Sequence, residues 1–203
     1  MDASPGPLFT AAEAAVLTRL SVKAVNNAID KQAIPAATGR ATRMLSLPAL
    51  MMLALERRLS DRFVPELRRQ VFAALGEARR NSLSLEGGLL KLDLCEPRRE
   101  LAGQLRQLRR ARQLVGSDPE VMSGDPVFLG TRIPVHAIAA QLAHGDSPAE
   151  VLRGYPRLTA EMVALAPIYA AAYPLRGRPR AQPWHDRPPI AVTRRKLTTN
   201  EAG

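Results

Sequence analysis

The stretch from Ser117 to Tyr173 constrains the fold most, because turn signals, helix starts and apolar repeats follow one another there without a long unpatterned gap. Its first part alternates turn segments with short apolar runs, in the order Asp118-Pro119, Val121-Met122, Gly124-Asp125-Pro126 and Val127-Phe128-Leu129. Turn dipeptides that flank short apolar runs indicate strands. We therefore expect two short strands here, followed by a turn at Gly130.

The second part of this stretch has the spacing and the end signals of three helices. The first helix repeats apolar residues at Val135, Ile138, Ala139 and Leu142 and ends before Gly145, a residue suited to a left-handed helix terminus. Ser147 to Glu150 forms a capping box with proline at the first helical position, and Gly154 closes that helix. Thr159 caps a third helix, whose apolar face is Met162, Val163, Ala166, Tyr169, Ala170 and Tyr173. The three helices predict a small helix-turn-helix-like bundle.

These motifs resemble the bacterial domain-of-unknown-function family 433, over residues 116–173. The segments that carry the resemblance are Asp118 to Pro126, Gly130-Thr-Arg-Ile-Pro-Val135, Leu142 to Pro148 and Tyr155 to Thr159. The resemblance implies an antitoxin similar to those of VapB type, whose partners are small ribonucleases with a PIN-like fold. Pro167 departs from the family pattern, and we expect it to kink the last helix because proline removes a helical hydrogen bond.

Composition indicates a polyanionic partner. The 203-residue chain carries 29 Lys and Arg against 19 Asp and Glu, a formal net charge of +10. Such a balance favours nucleic acid without distinguishing it from other polyanions. Cys95 is the only cysteine, so no intrachain disulfide is possible. The start of the chain lacks a signal-peptide pattern and no apolar run reaches membrane-spanning length, so we expect a cytoplasmic protein.

The N-terminal segment has the pattern of a DNA-binding unit. Thr10 to Glu13 is a capping box for a short helix that runs to Leu17, and Ser21 caps a second helix. Val22, Val25 and Ile29 form the apolar face of the second helix. We predict DNA binding through this helix and a following basic hairpin, by Ser21, Lys23, Asn26, Asn27, Lys31, Arg40 and Arg43.

The residue types explain that prediction. Asparagine amides bind adenine edges, and lysines bind phosphate. Gly39 to Arg43, with the apolar run to Leu47, indicates a wing, and Pro48 starts a long helix through Leu59. The order of helix, helix, basic hairpin and helix resembles the DNA-binding domain of MerR-type regulators. The alternative is that the polar side of the second helix is an ordinary solvated face.

The middle segment looks like a connector with its own apolar positions. Residues 65–80 repeat Leu67, Val71 and Leu75 at helical spacing, and Gly87-Gly88 separates two alternating runs that predict a hairpin or an edge strand. A further helix from Pro97 to Val115 has a leucine-rich face and a basic back. We expect this helix either to pack against other parts of the chain or to form a dimer seam.

Residues 174–203 are rich in proline and arginine and poor in large apolar side chains. We expect this tail to be a disordered linker or a strip that orders on an acidic partner. The resemblance implies the second, since such an antitoxin uses a basic tail to occupy the acidic cleft of its nuclease. The predicted toxin-binding residues are Arg176, Arg178, Arg180, Trp184, Arg187, Arg194 and Arg195.

No catalytic pattern is present. The histidines at positions 136, 144 and 185 have no metal-site spacing, and no phosphate loop, nucleophile elbow or paired carboxylates occur, so we expect neither an enzyme nor a cofactor. We expect His144 at a helix end, and Arg132 either on phosphate or, as the favoured alternative, paired with a carboxylate.

These observations predict a mainly α protein with short β elements. The expected parts are a winged helix-turn-helix (1–62), a helical connector (63–115), the family 433 domain with its three helices (116–173) and an extended basic tail (174–203). The expected function is an antitoxin that represses its own operon, dimerises and neutralises a ribonuclease. A MerR-like regulator with a small-molecule effector is the alternative, and an RNA-binding accessory protein is disfavoured because aromatic residues are few.

Overall fold

The computed structural model describes residues 7–31, 37–38, 43–59, 64–77 and 81–175, and this part of the chain is mainly helical with short strands. Its helices are α1 (Ala11–Thr18), α2 (Val22–Asp30), α3 (Leu47–Leu59), α4 (Pro65–Glu77), α5 (Cys95–Gln113), α6 (Val135–His144), α7 (Pro148–Gly154) and α8 (Ala160–Ala172). Its strands are β1 (Ala37–Thr38), β2 (Arg43–Met44), β3 (Ser82–Leu85), β4 (Leu90–Asp93), β5 (Val115–Gly116) and β6 (Val127–Phe128).

The first two helices begin where their caps predict. The Thr10 hydroxyl accepts a hydrogen bond from the Glu13 amide at 3.2 Å, and the Glu13 carboxylate accepts one from the Thr10 amide at 2.8 Å. The Ser21 hydroxyl accepts one from the Ala24 amide at 3.1 Å and starts α2. Between the helices Arg19 adopts a left-handed conformation, with φ of 56°. The chain therefore turns sharply from α1 into α2.

A short antiparallel hairpin follows α2. Its register pairs Ala37 with Met44 and Thr38 with Arg43, while the residues at its tip lie outside the described part. Next to it, the amides and carbonyls of Phe9 and Leu45 exchange hydrogen bonds of 2.9 and 2.8 Å. Because both side chains are buried, this bridge fixes the hairpin to the segment that leads into α1.

The middle segment contains the predicted helix and, of the two alternatives, the hairpin. Strands β3 and β4 pair in the register Ser82 with Asp93 through Leu85 with Leu90, around the left-handed Gly87 and Gly88. Helix α5 packs against α1, α3 and α8, and its Leu101 and Leu108 are buried within the chain. The described fold therefore uses this apolar face for internal packing.

Two predictions about short elements are wrong. Val115, expected on the apolar face of α5, lies in β5, which pairs with β6 through Val115 with Phe128 and Gly116 with Val127. Val121-Met122, expected to be a strand, enters a turn in which Met122, Ser123 and Gly124 have φ of 49°, 56° and 84°. Both errors have one cause. Val127 and Phe128 pair with Gly116 and Val115 rather than with Val121 and Met122, and Met122 becomes part of the turn between the two strands.

The cap residues predicted for the three C-terminal helices are confirmed. Gly145 closes α6 with φ of 110°, and the Ser147 hydroxyl and the Glu150 carboxylate form the expected capping box of α7. The Thr159 hydroxyl accepts from the Met162 amide at 3.2 Å and starts α8. Pro167 is exposed, and α8 continues past it to Ala172.

Most buried apolar residues of the described part belong to two clusters that share α8. One cluster extends from Phe9 to Leu108 and includes Ala172, while the other joins Phe128, α6 and α7 to Val163 and Ala166. Helix α8 thus contributes its beginning to one core and its end to the other. No helix in the described part is long and apolar enough to cross a lipid bilayer.

Candidate nucleic-acid interface

Helix α2 presents polar side chains opposite its buried face. Val25 and Ile29 are buried, whereas Lys23, Asn27 and Lys31 are exposed. Asn26 is half-buried at the edge of this face. The predicted apolar face is narrower than expected, because Val22 is 43% exposed.

The side chains of Lys23, Asn26, Asn27 and Lys31 make no hydrogen bond or ion pair with another described residue. Within the described part of the chain, their donors and acceptors are therefore not engaged. A helix that bears two amides between two lysines has groups for base edges and groups for phosphates.

Ser21 lies at the N-terminal end of the same helix. Its hydroxyl oxygen already accepts the Ala24 amide, so its first role is to start α2. The hydroxyl proton is still available to a phosphate oxygen beside the helix N-terminus, where the helix dipole favours negative charge. Ser21 therefore starts α2 and also carries a hydroxyl proton that can be donated to a phosphate.

Arg43 lies in β2, and its guanidinium donates to the carboxylate of Asp30 on α2. Both side chains remain about half exposed, at 54% and 55%. The pair has two consequences. It ties the hairpin to α2, and it offsets the only negative charge on the polar side of that helix.

The remaining predicted contacts divide into two groups. Arg40, which was expected at the tip of the wing, lies outside the described residues. The whole predicted toxin-binding set, with His185, also lies outside them: Arg176, Arg178, Arg180, Trp184, Arg187, Arg194 and Arg195.

Three residues of the C-terminal domain that the sequence singled out, His144, His136 and Arg132, differ in their contacts. The Nδ1 atom of His144 lies 2.7 Å from the Ala140 carbonyl, which confirms its place at the end of α6. The Nε2 atom of His136 lies 2.8 Å from the Tyr173 carbonyl. Arg132 is exposed and pairs with no carboxylate in the described part, so the favoured pairing is wrong. The carboxylate of Asp118 accepts a hydrogen bond from the Glu120 amide at 2.9 Å. Within the described ranges no group of three potential ligands gathers to hold a metal.

Sequence reasoning missed the polar contacts that join distant elements. Arg110 of α5 donates two hydrogen bonds to Glu161 of α8, at 2.7 and 2.8 Å, and these hold the pKa of Glu161 below its ordinary value. The Tyr173 hydroxyl donates to Glu13 at 2.5 Å. Burial, followed by this hydrogen bond, raises the pKa of Tyr173. No local pattern marks these pairs, because their members lie far apart in the chain.

An apolar cavity of about 400 Å³ opens between α3, α4 and α5. Its described lining consists of Leu47, Pro48, Met51, Leu75, Arg98, Leu101, Ala102 and Leu105. This volume is within the range of small-molecule sites, which are mostly apolar with a few polar groups.

Comparison with known proteins identifies the family. The chain is 35% identical over 187 residues to the uncharacterized protein y4eO of Sinorhizobium fredii, and the match covers 85% of each chain. This chain belongs to the same family as the rhizobial protein. Residues 115–170 match the family described as protein of unknown function, DUF433, so they form a DUF433 domain.

A solved X-ray structure of Rv2018 from Mycobacterium tuberculosis is also similar in part. The match covers 79% of this chain and 96% of the other, with 16% identity and a TM-score of 0.32. A TM-score of this size does not establish a common fold.

Proposed function

We propose that this protein is an antitoxin that binds its own operator DNA and neutralises a PIN-like ribonuclease. The observation that carries the DNA-binding part is the face of α2, where Lys23, Asn27 and Lys31 are exposed without partners in the described chain. The partner is proposed from the resemblance of DUF433 motifs to VapB-type antitoxins.

In this proposal α1, α2 and the β1–β2 hairpin act as a winged helix-turn-helix unit. Helix α2 enters the major groove, where Asn27 and Asn26 bind base edges, Asn26 from the edge of the polar face of the helix. Lys23 and Lys31 hold phosphates on either side of the groove. The formal charge of +10 supports the same function by drawing the protein to DNA.

The hairpin serves as the wing. Arg43 holds it against α2 through Asp30, and Arg40 at its tip is proposed to contact the backbone beyond the groove. The pairing also matters electrostatically, because an unpaired Asp30 would repel phosphates that Lys23 and Lys31 attract. The wing therefore keeps the polar face of α2 basic.

The toxin-binding role is assigned to the tail. Its arginines complement an acidic nuclease cleft, and Trp184 supplies an aromatic anchor of the kind that dominates interface energies. A homodimer is the proposed assembly on DNA, since operators with two half-sites require two readers.

The DNA-binding part is tested with the variant in which Lys23, Asn26 and Asn27 are changed to Ala. Footprinting on the DNA upstream of the protein's own gene should show protection by the native protein and none by the variant. The matched control is Arg69→Ala on α4, which removes an exposed cation from another surface and should leave protection unchanged. Unchanged protection with the triple variant would show that α2 is not the reader.

The apolar cavity favours a second candidate function, a transcription regulator that responds to a small apolar effector. In that case Ala102→Phe, which fills the cavity, should abolish a thermal shift caused by the effector without weakening DNA binding. A ribonuclease partner encoded next to this gene, with no ligand-induced shift, would decide for the antitoxin.

A further inference from the structure

Tyr173, the residue directly after α8, makes four contacts with other residues. Its hydroxyl donates to Oε1 of Glu13 at 2.5 Å, and its carbonyl lies 2.8 Å from Nε2 of His136 on α6. Its ring is tilted against that of Tyr169, with 4.9 Å between ring centroids. Arg112 of α5 lies over the same ring, 6.0 Å from its centroid. One residue thus contacts α1, α5 and α6.

Glu13 is the other half of the contact, and it is buried in α1. Its second oxygen, Oε2, accepts the Thr10 amide at 2.8 Å, in the capping box that starts the helix. One carboxylate therefore caps α1 and binds Tyr173. Removing the Tyr173 hydroxyl would leave Oε1 of this buried side chain without its donor, and an unpaired buried polar atom is costly.

The position of this contact in the fold gives it consequences. Helix α8 connects the two apolar clusters, and its last turn lies against α1, which leads through Arg19 directly into α2. On the other side of Tyr173 the chain continues through Pro174 into the basic tail. The contact therefore lies between the segment proposed to bind the partner and the helix proposed to read DNA.

We propose that Tyr173 and Glu13 form a latch that fixes the DUF433 domain on α1 and thereby holds α2 in place. Tyr173 is then a positioning residue for α2, since it acts through Glu13 and α1. The link to DNA rests on the proposed function, whereas the latch itself does not.

The latch is tested with the full chain carrying Tyr173→Phe, which keeps the ring and removes the hydroxyl. The matched control is Tyr169→Phe, whose hydroxyl has no hydrogen bond to a described residue. Spin labels on Lys31→Cys and Ala143→Cys, both exposed positions, report the distance between α2 and α6 in a Cys95→Ser background. The control should keep the native distance distribution, and Tyr173→Phe should broaden it.

A double-mutant cycle gives a second readout. Tyr173→Phe and Glu13→Gln should each lower the folding equilibrium constant, and their combined effect should be less than the product by roughly two- to tenfold, the worth of one hydrogen bond. Multiplicative effects together with an unchanged distance distribution would overturn the latch.

Affinity for DNA tests whether the latch positions α2, the helix proposed to bind DNA. On the DNA upstream of the gene, Tyr173→Phe should bind roughly two- to tenfold more weakly than Tyr169→Phe. A chain that ends at Leu175 should bind as well as the native protein, because it retains the latch. Equal binding by Tyr173→Phe and the control would overturn the link. Absence of binding by the native protein would instead refute the proposed function and leave the latch to the distance measurement.

Discussion

At the scale of single residues, the pair of Asp30 and Arg43 gives a sharp expectation about DNA affinity. Arg43→Ala removes a cation and also leaves the Asp30 carboxylate without this partner, beside the polar face of α2. We expect it to weaken DNA binding several-fold, while Asp30→Ala strengthens binding and the double variant binds close to the native level. Fluorescence anisotropy with labelled upstream DNA, at two salt concentrations, measures this.

Arg69→Ala is the control for that series, because Arg69 also pairs with an exposed carboxylate, Glu66, but on α4. It should change affinity little. If Asp30→Ala weakened binding, the loss of the tie between the hairpin and α2 would outweigh the loss of the negative charge, and the electrostatic role assigned to the pair would be wrong.

At the scale of secondary-structure elements, α7 depends on its capping box. Ser147→Ala removes the acceptor of the Glu150 amide and should lower the free energy of unfolding by about 1 kcal/mol. Ser82→Ala is a suitable control, because Ser82 is an exposed serine in β3 without a capping role. Urea unfolding of both variants checks this, and equal stability would show that proline at the first position suffices to start α7.

The same box predicts a pH dependence. Hydrogen bonds from the Ser147 side chain and amide hold the pKa of Glu150 below its ordinary value. A lowered folded-state pKa means that the stabilisation is present above the unfolded value of about 4.3 and is lost as pH falls through the folded value. The stability difference between the native protein and Glu150→Gln should therefore shrink below pH 4. A difference that grew on acidification would contradict this assignment.

The helix starts could be predicted from the sequence, whereas the strand at Val115 could not. Thr10, Ser21, Ser147 and Thr159 were predicted as helix starts, because a cap is a contact between residues three apart and is visible in the local sequence. Val115 was misassigned because its partner, Phe128, lies beyond a turn that the apolar pattern does not reveal. Helix-period and strand-period signals overlap in a run of a few residues.

In the candidate site, the features set by local spacing were predicted and the contacts between distant residues were not. The polar face of α2 was predicted, because the spacing of Val25 and Ile29 fixes which side faces the core. The pairing of Asp30 with Arg43 was not predicted, since it depends on how the hairpin folds back. The contact between Glu13 and Tyr173 spans 160 positions, so the sequence showed only a capping residue and an apolar residue.

At the scale of the whole molecule, residues 176–203 are poor in large apolar side chains that could belong to a core. A chain that ends at Leu175 should therefore fold with the native melting temperature, within a few degrees, and keep its DNA affinity. Circular dichroism and the same anisotropy titration measure both. A large loss of stability would mean that the tail belongs to the folded core.

We propose that the protein neutralises a nuclease through its tail. The most direct measurement is a calorimetric titration of the product of the neighbouring gene with the full-length protein, Trp184→Ala and the chain that ends at Leu175. We expect tight binding by the native protein, weaker binding by Trp184→Ala and none by the truncated chain, with loss of growth rescue in the same order. Equal affinity and equal rescue by the truncated chain would contradict the tail mechanism, and absence of binding by the full-length protein would contradict the antitoxin function itself.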